Sequence, residues 1–213
     1  MVFGPLGGTA LSLLQRTRQE IARAGMWEPV IEALRNQGGA IWAALPEPER
    51  RRFLRHLRVM WDVHRYQLAP QLGDIMTQQT KAGRLTIQAA RITEVQQQDG
   101  RFHVTLNHKN TARHEIFDAI INCTGPDHAH VIENTPVLTS LAQAGLIHAD
   151  PHRLGIDTDL DARALNNAGV PVRNLFVAGP LARASFGELM GLPQVTSHAA
   201  LVAERVGALV VSQ

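Results

Sequence analysis

Ile116-Phe117-Asp118-Ala119-Ile120-Ile121-Asn122-Cys123-Thr124-Gly125-Pro126 is the stretch on which the reading of this chain turns. A nearly continuous apolar run rich in β-branched residues reads as a strand buried on both faces. The Thr-Gly-Pro that follows ends it, and glycine there lets a ligand approach the backbone closely. Asn174-Leu175-Phe176-Val177-Ala178-Gly179-Pro180-Leu181 repeats the arrangement. In open α/β sheets ligands bind outside the carboxyl ends of the strands, so both strand ends are candidate site positions.

Upstream of the first run, Leu85-Thr86-Ile87-Gln88 alternates, and Ile92 and Val95 follow. Asp99-Gly100 is a strong hairpin signal, with Phe102-His103-Val104-Thr105-Leu106 alternating on its far side. Residues 85–122 therefore read as an antiparallel meander feeding a core strand. The first third reads as helical. Thr9 caps a helix to about Ala24 with Gly25 as its stop, and a second covers 29–35 and ends at Gly38-Gly39. A third starts near Pro46-Glu47-Pro48-Glu49 with Phe53, Leu54 and Leu57 inward. A fourth runs from Pro70 to Gly83 with Leu72, Ile75 and Met76 on its inner side. Downstream, a short helix is expected over 135–145, a short strand over 155–158, and a terminal helix over about 193–211, its inner face Val195, Ala199, Val202, Val206 and Leu209. The fold class expected is α/β: a helical segment over 9–82, then, over 84–213, an antiparallel meander, a partial dinucleotide-binding-type sheet and a C-terminal helix.

The 213 residues are 45% hydrophobic, enough for a sizeable core, and no run approaches the roughly eighteen apolar residues of a membrane helix. Residues 1–8 lack the basic start and long apolar stretch of a secretory signal, so a soluble, cytoplasmic chain without membrane partners is expected. A net charge of +2 gives no reason to expect nucleic-acid binding, although Arg50, Arg51, Arg52, Arg55 and Arg58 cluster, a pattern that reads as a solvated helix face. The single cysteine, Cys123, excludes an internal disulfide and a multi-cysteine metal site. At the end of an apolar strand it is expected to be a small buried residue, not a redox thiol.

The order of these elements resembles the C-terminal portion of the two-dinucleotide-binding, glutathione-reductase-like flavoproteins. There a meander leads into a strand ending in Ala-Thr-Gly, which Asn122-Cys123-Thr124-Gly125 resembles, and a later strand ends in Gly-Asp, which Gly179-Pro180 resembles. More narrowly, the chain is similar to bacterial FAD-NAD(P)-binding proteins of unassigned substrate. That similarity rests on Trp42, Leu45-Pro46, Arg52-Phe53-Leu54-Arg55-His56, Trp61-Asp62-Val63-His64-Arg65, Ala69-Pro70, Gly179-Pro180-Leu181 and Glu188. The resemblance implies FAD as a cofactor, with NAD or NADP as the second nucleotide in the full-length enzyme. It implies cofactor-binding roles for Thr124, Gly125, Pro126, Gly179, Pro180, Glu188 and Gln194, the last in the first turn of a helix aimed at the flavin. It also places Trp61, His64 and Arg65 near the nicotinamide or substrate. No catalytic residue is assigned.

Two departures qualify the resemblance. Such enzymes bind the FAD pyrophosphate with Gly-x-Gly-x-x-Gly, and none of the 17 glycines here stands two residues from another. The chain is therefore expected to be a fragment that begins mid-protein and has little redox activity by itself. Pro180 stands where the wider superfamily has an aspartate, and offers neither a carboxylate nor an N–H. A sheet missing its first strands leaves an open edge, through which self-association is expected. Two other classes compete: a non-enzymatic interaction module built on the helical third, and a metal site drawn from Asp127, His128, His130, His148, Asp150 and His152.

Overall fold

Thr9 opens the first helix by a reciprocal cap. Its Oγ1 accepts the Ser12 N–H at 3.0 Å, and Ser12 Oγ accepts the Thr9 N–H at 3.0 Å. In the computed structural model, which describes residues 7–125 and 127–211, this helix, α1, spans Ala10–Ala24 and stops at Gly25 in the left-handed conformation. Helices α2 (Glu28–Asn36), α3 (Gly38–Ala44), α4 (Glu47–His56) and α5 (Arg58–Arg65) follow. Gly38-Gly39 does not stop a helix as expected; Gln37 already breaks α2 and the two glycines start α3, where a Cβ added at Gly39 would stand a tight 3.3 Å from Phe186 O.

Polar side chains tie these helices together. Glu49, on α4, accepts the Ala10 N–H at 2.8 Å, so a carboxylate sits on the positive end of the α1 dipole. Arg50 donates to the carbonyls of Trp42, Leu45 and Ala43 at 2.9, 3.0 and 3.1 Å and closes the end of α3. Its neighbours Arg51 and Arg52 pair with Glu47 and Glu49 within α4. The arginine cluster is thus partly a helix latch and partly a self-paired surface.

The described residues divide into two compact units, one from Met1–Tyr66 with Asp127–Gln213 and one from Gln67–Pro126. These units do not follow the two sequence segments. Helix α6 (Pro70–Lys81) belongs with the strands β1 (Arg91–Gln98), β2 (Arg101–His108) and β3 (Thr111–Phe117), which form an antiparallel sheet in the order β1-β2-β3. The Asp99-Gly100 hairpin forms as expected, both residues at positive φ. Three expectations fail in this unit. Residues 85–88 are not a strand, and Leu72, Ile75 and Met76 of α6 are exposed. The run expected to be a buried core strand is not one: β3 ends at Phe117, and Ile121 is 84% exposed. Pairing with β2 stops at Phe102↔Phe117, so Ile120 and Ile121 have no neighbouring strand among the described residues to cover them. Cys123, next in line, is exposed for the same reason.

The other unit continues with α7 (Pro136–Gln143), β4 (Arg163–Leu165), β5 (Pro171–Phe176), α8 (Arg183–Phe186) and α9 (Leu192–Val211). The expected strand over 155–158 reduces to two isolated bridges, Ala149↔Ile156 and Thr158↔Ala164. β4 and β5 pair antiparallel, and their side contributes a core of Ile132, Ile147, Ile156, Ala164 and Val177. A second core, Leu13, Val30, Ile31, Leu34 and Ile41, lies among the first helices. On α9 Val202 and His198 are buried, whereas Ala199, Val206 and Val210 are exposed, so the expected inner face is covered only in part. No helix among the described residues is long and apolar enough to cross a membrane. The mixed helix-and-strand class is as expected.

Candidate functional site

The first helices and the segment joining α8 to α9 enclose a cavity of about 330 Å³, a size suited to a small-molecule ligand. Leu13, Ile31, Leu34, Ile41 and Leu57 give it apolar walls, and Trp42 and Trp61 border it. Trp42 is fixed by its indole N–H, which donates to Ala184 O at 2.7 Å, 142 residues along the chain. Gly187, at φ +79°, passes so close that an added Cβ would stand 2.9 Å from Trp42 Cβ.

The polar wall is built around Arg65, the last residue of α5. Its side chain is 8% exposed, donates to Asp62 at 2.9 Å and pairs with Glu188, which is 9% exposed. The other Glu188 oxygen accepts the Trp61 indole N–H at 3.3 Å. Glu188 is therefore buried and held by a partner on each oxygen, unlike a solvated loop glutamate. Asp62 also lies 3.6 Å from Arg58. The Arg65 guanidinium stacks 3.9 Å from the centroid of Tyr66, which limits its rotamers.

Arg183, on α8, lines the same cavity and is 6% exposed. Its Nε donates to Leu154 O at 3.1 Å and one Nη contacts Met190 Sδ at 3.4 Å, while its Nη2 has no hydrogen-bond partner. It forms no ion pair among the described residues. Burial holds its pKa below the ordinary arginine value, and the positive charge of Arg58 pushes the same way, against Asp150. Asp150 acts on it only through space and forms no ion pair with it, its carboxylate accepting instead from the N–H groups of His152, Leu154 and Gly155 at 2.8, 2.7 and 2.6 Å.

The residues expected to bind a cofactor fall in different places. Gly179 follows β5 by three residues, is buried, and adopts φ 82°, ψ −153°, a conformation open essentially to glycine alone. Its N–H donates to His198 Nδ1 at 3.1 Å. Pro180 is exposed and starts a single 3-10 turn, Pro180–Ala182. Gln194 folds over Gly191 in the first turn of α9, with Oε1 buried and without a partner. Thr124 and Gly125 belong to the other unit. There Thr124 N and Oγ1 both bond Asn122 Oδ1, at 3.0 and 2.9 Å, in a local turn that ends the exposed run. Pro126 lies outside the described residues. Gly179, Pro180, Glu188 and Gln194 thus share one unit, but only Glu188 lines the cavity.

The histidine and aspartate candidates for a metal do not converge. His130 bonds Asp127 at 2.8 Å, and His148 bonds Asp157 at 3.2 Å and Leu165 O. The side chain of His128 lies outside the described residues. Among those described, no three His, Cys, Asp or Glu side chains are grouped to hold a metal ion.

Sequence reasoning missed Arg183 and the cavity. One signal was present: Arg183 stands alone in the apolar segment Pro180-Leu181-Ala182-Arg183-Ala184-Ser185-Phe186, where a solvated arginine has little reason to be. No protein-family model matches the chain, and no curated protein matches it.

Proposed function

We propose that the chain is the C-terminal portion of a flavin-dependent NAD(P)H oxidoreductase, whose pyrophosphate-binding strand and glycine turn lie on a segment outside these 213 residues. The observation that carries the reading is the uncovered run 116–121. Apolar residues of this density in a strand position belong beside neighbouring strands, and β3 ends without them. The missing strands of a dinucleotide-binding sheet would supply that cover. The finer fold assignment, a partial dinucleotide-binding sheet, stands on the same argument.

The residues just after β5 and at the start of α9 fit a flavin. A Cβ added at Gly179 would meet no atom within 4 Å, so a ring system has room to approach the backbone there. Gln194 Oε1 and His198 Nε2, one helical turn apart on α9, are buried polar atoms without partners. In this reading they face the polar edge of the ring, and Gly179 and Pro180 lie along it. The cofactor would supply the electron transfer, while Arg65, Trp61 and Glu188 shape the substrate side.

An FAD titration followed by flavin fluorescence tests the proposal. The chain by itself is expected to bind FAD weakly or not at all. Fused to the protein segment encoded immediately upstream, it is expected to purify yellow. A fusion that contains a Gly-x-Gly-x-x-Gly turn and still purifies colourless, with no uptake of added FAD, overturns the reading.

A further inference from the structure

The cavity among the first helices has a charge imbalance that the proposed flavin site does not use. Four arginines line it, Arg18, Arg58, Arg65 and Arg183, against two carboxylates, Asp62 and Glu188. Both carboxylates are engaged by Arg58 and Arg65. Arg183, the most completely buried residue of the four, has no carboxylate partner among the described residues, and its Nη2 has no acceptor. A buried guanidinium whose Nη2 donors are unmet is costly unless an anion completes it. Leu154 and Met190, which hold the other two nitrogens, are themselves part of the cavity wall, so the guanidinium is positioned at its boundary.

We propose that this cavity is a binding site for a small amphipathic monocarboxylate, its carboxylate accepting from Arg183 and its apolar body lying among Leu13, Leu34, Ile41, Leu57 and Trp61. The two N–H groups of Nη2 lack acceptors and the guanidinium carries one positive charge without an ion pair, which suits the two oxygens of a monocarboxylate. Glu188 and Asp62 hold Arg65 and Arg58 out of competition, which leaves Arg183 as the one arginine of this wall that is both deeply buried and lacking a counter-ion. The apolar walls exclude ligands that are polar throughout. The inference does not depend on the flavin reading, because neither Gly179 nor Gln194 lines the cavity.

Octanoate, 1-octanol and octylamine are matched probes, followed by the tryptophan fluorescence of the purified chain and by its thermal midpoint. Octanoate is expected to bind saturably and at least about tenfold more tightly than 1-octanol, the usual worth of a hydrogen bond to a charged group. Octylamine is expected not to bind. Arg183→Met should abolish the preference for octanoate, and Arg18→Ala, which removes an exposed arginine of the same wall, should keep it. Equal binding of octanoate and 1-octanol, no binding of octanoate, or a preference lost in Arg18→Ala and kept in Arg183→Met would each overturn the proposal. If Arg183→Met does not fold, the comparison of the three probes on the unmodified chain decides. FAD is titrated separately: octanoate binding without FAD binding leaves this site standing and counts only against the flavin reading.

Discussion

Gly179, just after β5, donates its N–H to Nδ1 of His198 on α9 at 3.1 Å, and the same imidazole packs edge-on against Phe186 with ring centroids 4.4 Å apart. To accept that bond Nδ1 must be unprotonated, so the folded chain holds His198 neutral with its proton on Nε2. Burial lowers the His198 pKa from 6.5. As pH falls, the unfolded chain takes up this proton first, and unfolding is then coupled to proton binding. The contribution of His198 is therefore constant above about pH 6.5, and stability is lost as pH drops from there through the lower folded pKa. His198→Asn, whose Oδ1 keeps an acceptor near the same place, should flatten the dependence. Urea midpoints measured from about pH 5 to about pH 8 for both proteins check this; parallel curves would show that His198 does not titrate on unfolding.

Glu188 and Arg65 are joined across 123 residues in surroundings that leave each side chain under a tenth exposed. Glu188→Ala leaves Arg65 with Asp62 as its remaining carboxylate partner, so the loss should be about 1.5–3 kcal/mol, the worth of a hydrogen bond to a charged group. Replacing both with apolar residues, Arg65→Met with Glu188→Leu, should cost less than the two single changes added together. A double-mutant cycle in guanidinium unfolding gives the coupling directly, and additive losses would mean that the pair contributes nothing as a pair.

Gly155 admits no side chain. An added Cβ would overlap Leu181 O and stand 2.8 Å from Leu181 C, both backbone atoms, in a segment that the Ile156 N–H to Leu181 O bond of 2.9 Å holds in place. Gly155→Ala should therefore destabilise by about 3 kcal/mol or more, whereas Gly73→Ala, inside α6 with nothing within 4 Å, should stabilise by up to about 1 kcal/mol. Thermal midpoints of the two variants, compared side by side, make the distinction.

Asp150 holds the turn before Gly155 through three backbone N–H groups and is 2% exposed. Asp150→Ala leaves those donors buried without an acceptor, and a loss of about 3 kcal/mol is expected, with Asp150→Asn losing less. Hydrogen exchange of the Leu154 and Gly155 amides should accelerate in the alanine variant before the rest of the unit opens. Unchanged protection at both amides would contradict the assignment.

What local chemistry controls was readable from the sequence. Thr9 and Gly25 mark the ends of α1 because a capping hydroxyl and a left-handed glycine act within a few residues, and Asp99-Gly100 makes its hairpin for the same reason. Pro29, Pro48, Pro70 and Pro136 each fall in the first turn of a helix. Burial was not readable, because it depends on partners far along the chain. Ile120 and Ile121 carry a core strand's composition without strands beside them, and Leu72 and Ile75 carry an inner helix face that stays exposed. The cavity was hidden for the same reason. Its polar wall comes from α5 and from the segment after residue 182, and no spacing rule relates Arg65 to Glu188 or Trp42 to Ala184.

One unit is assembled from both ends of the chain, with residues 67–126 inserted between them. During synthesis, α1 to α5 leave the ribosome long before Arg183, Ala184 and Glu188 exist. At about 5–20 residues per second, the wait for the intervening residues lasts seconds, far longer than helix formation takes. Through that interval Arg65 and the Trp42 indole lack the partners that hold them in the finished fold. A nascent chain arrested before residue 180 should thus present the apolar walls of the unfinished cavity to chaperones, and emergence of residues 183–190 should be the event that closes them away.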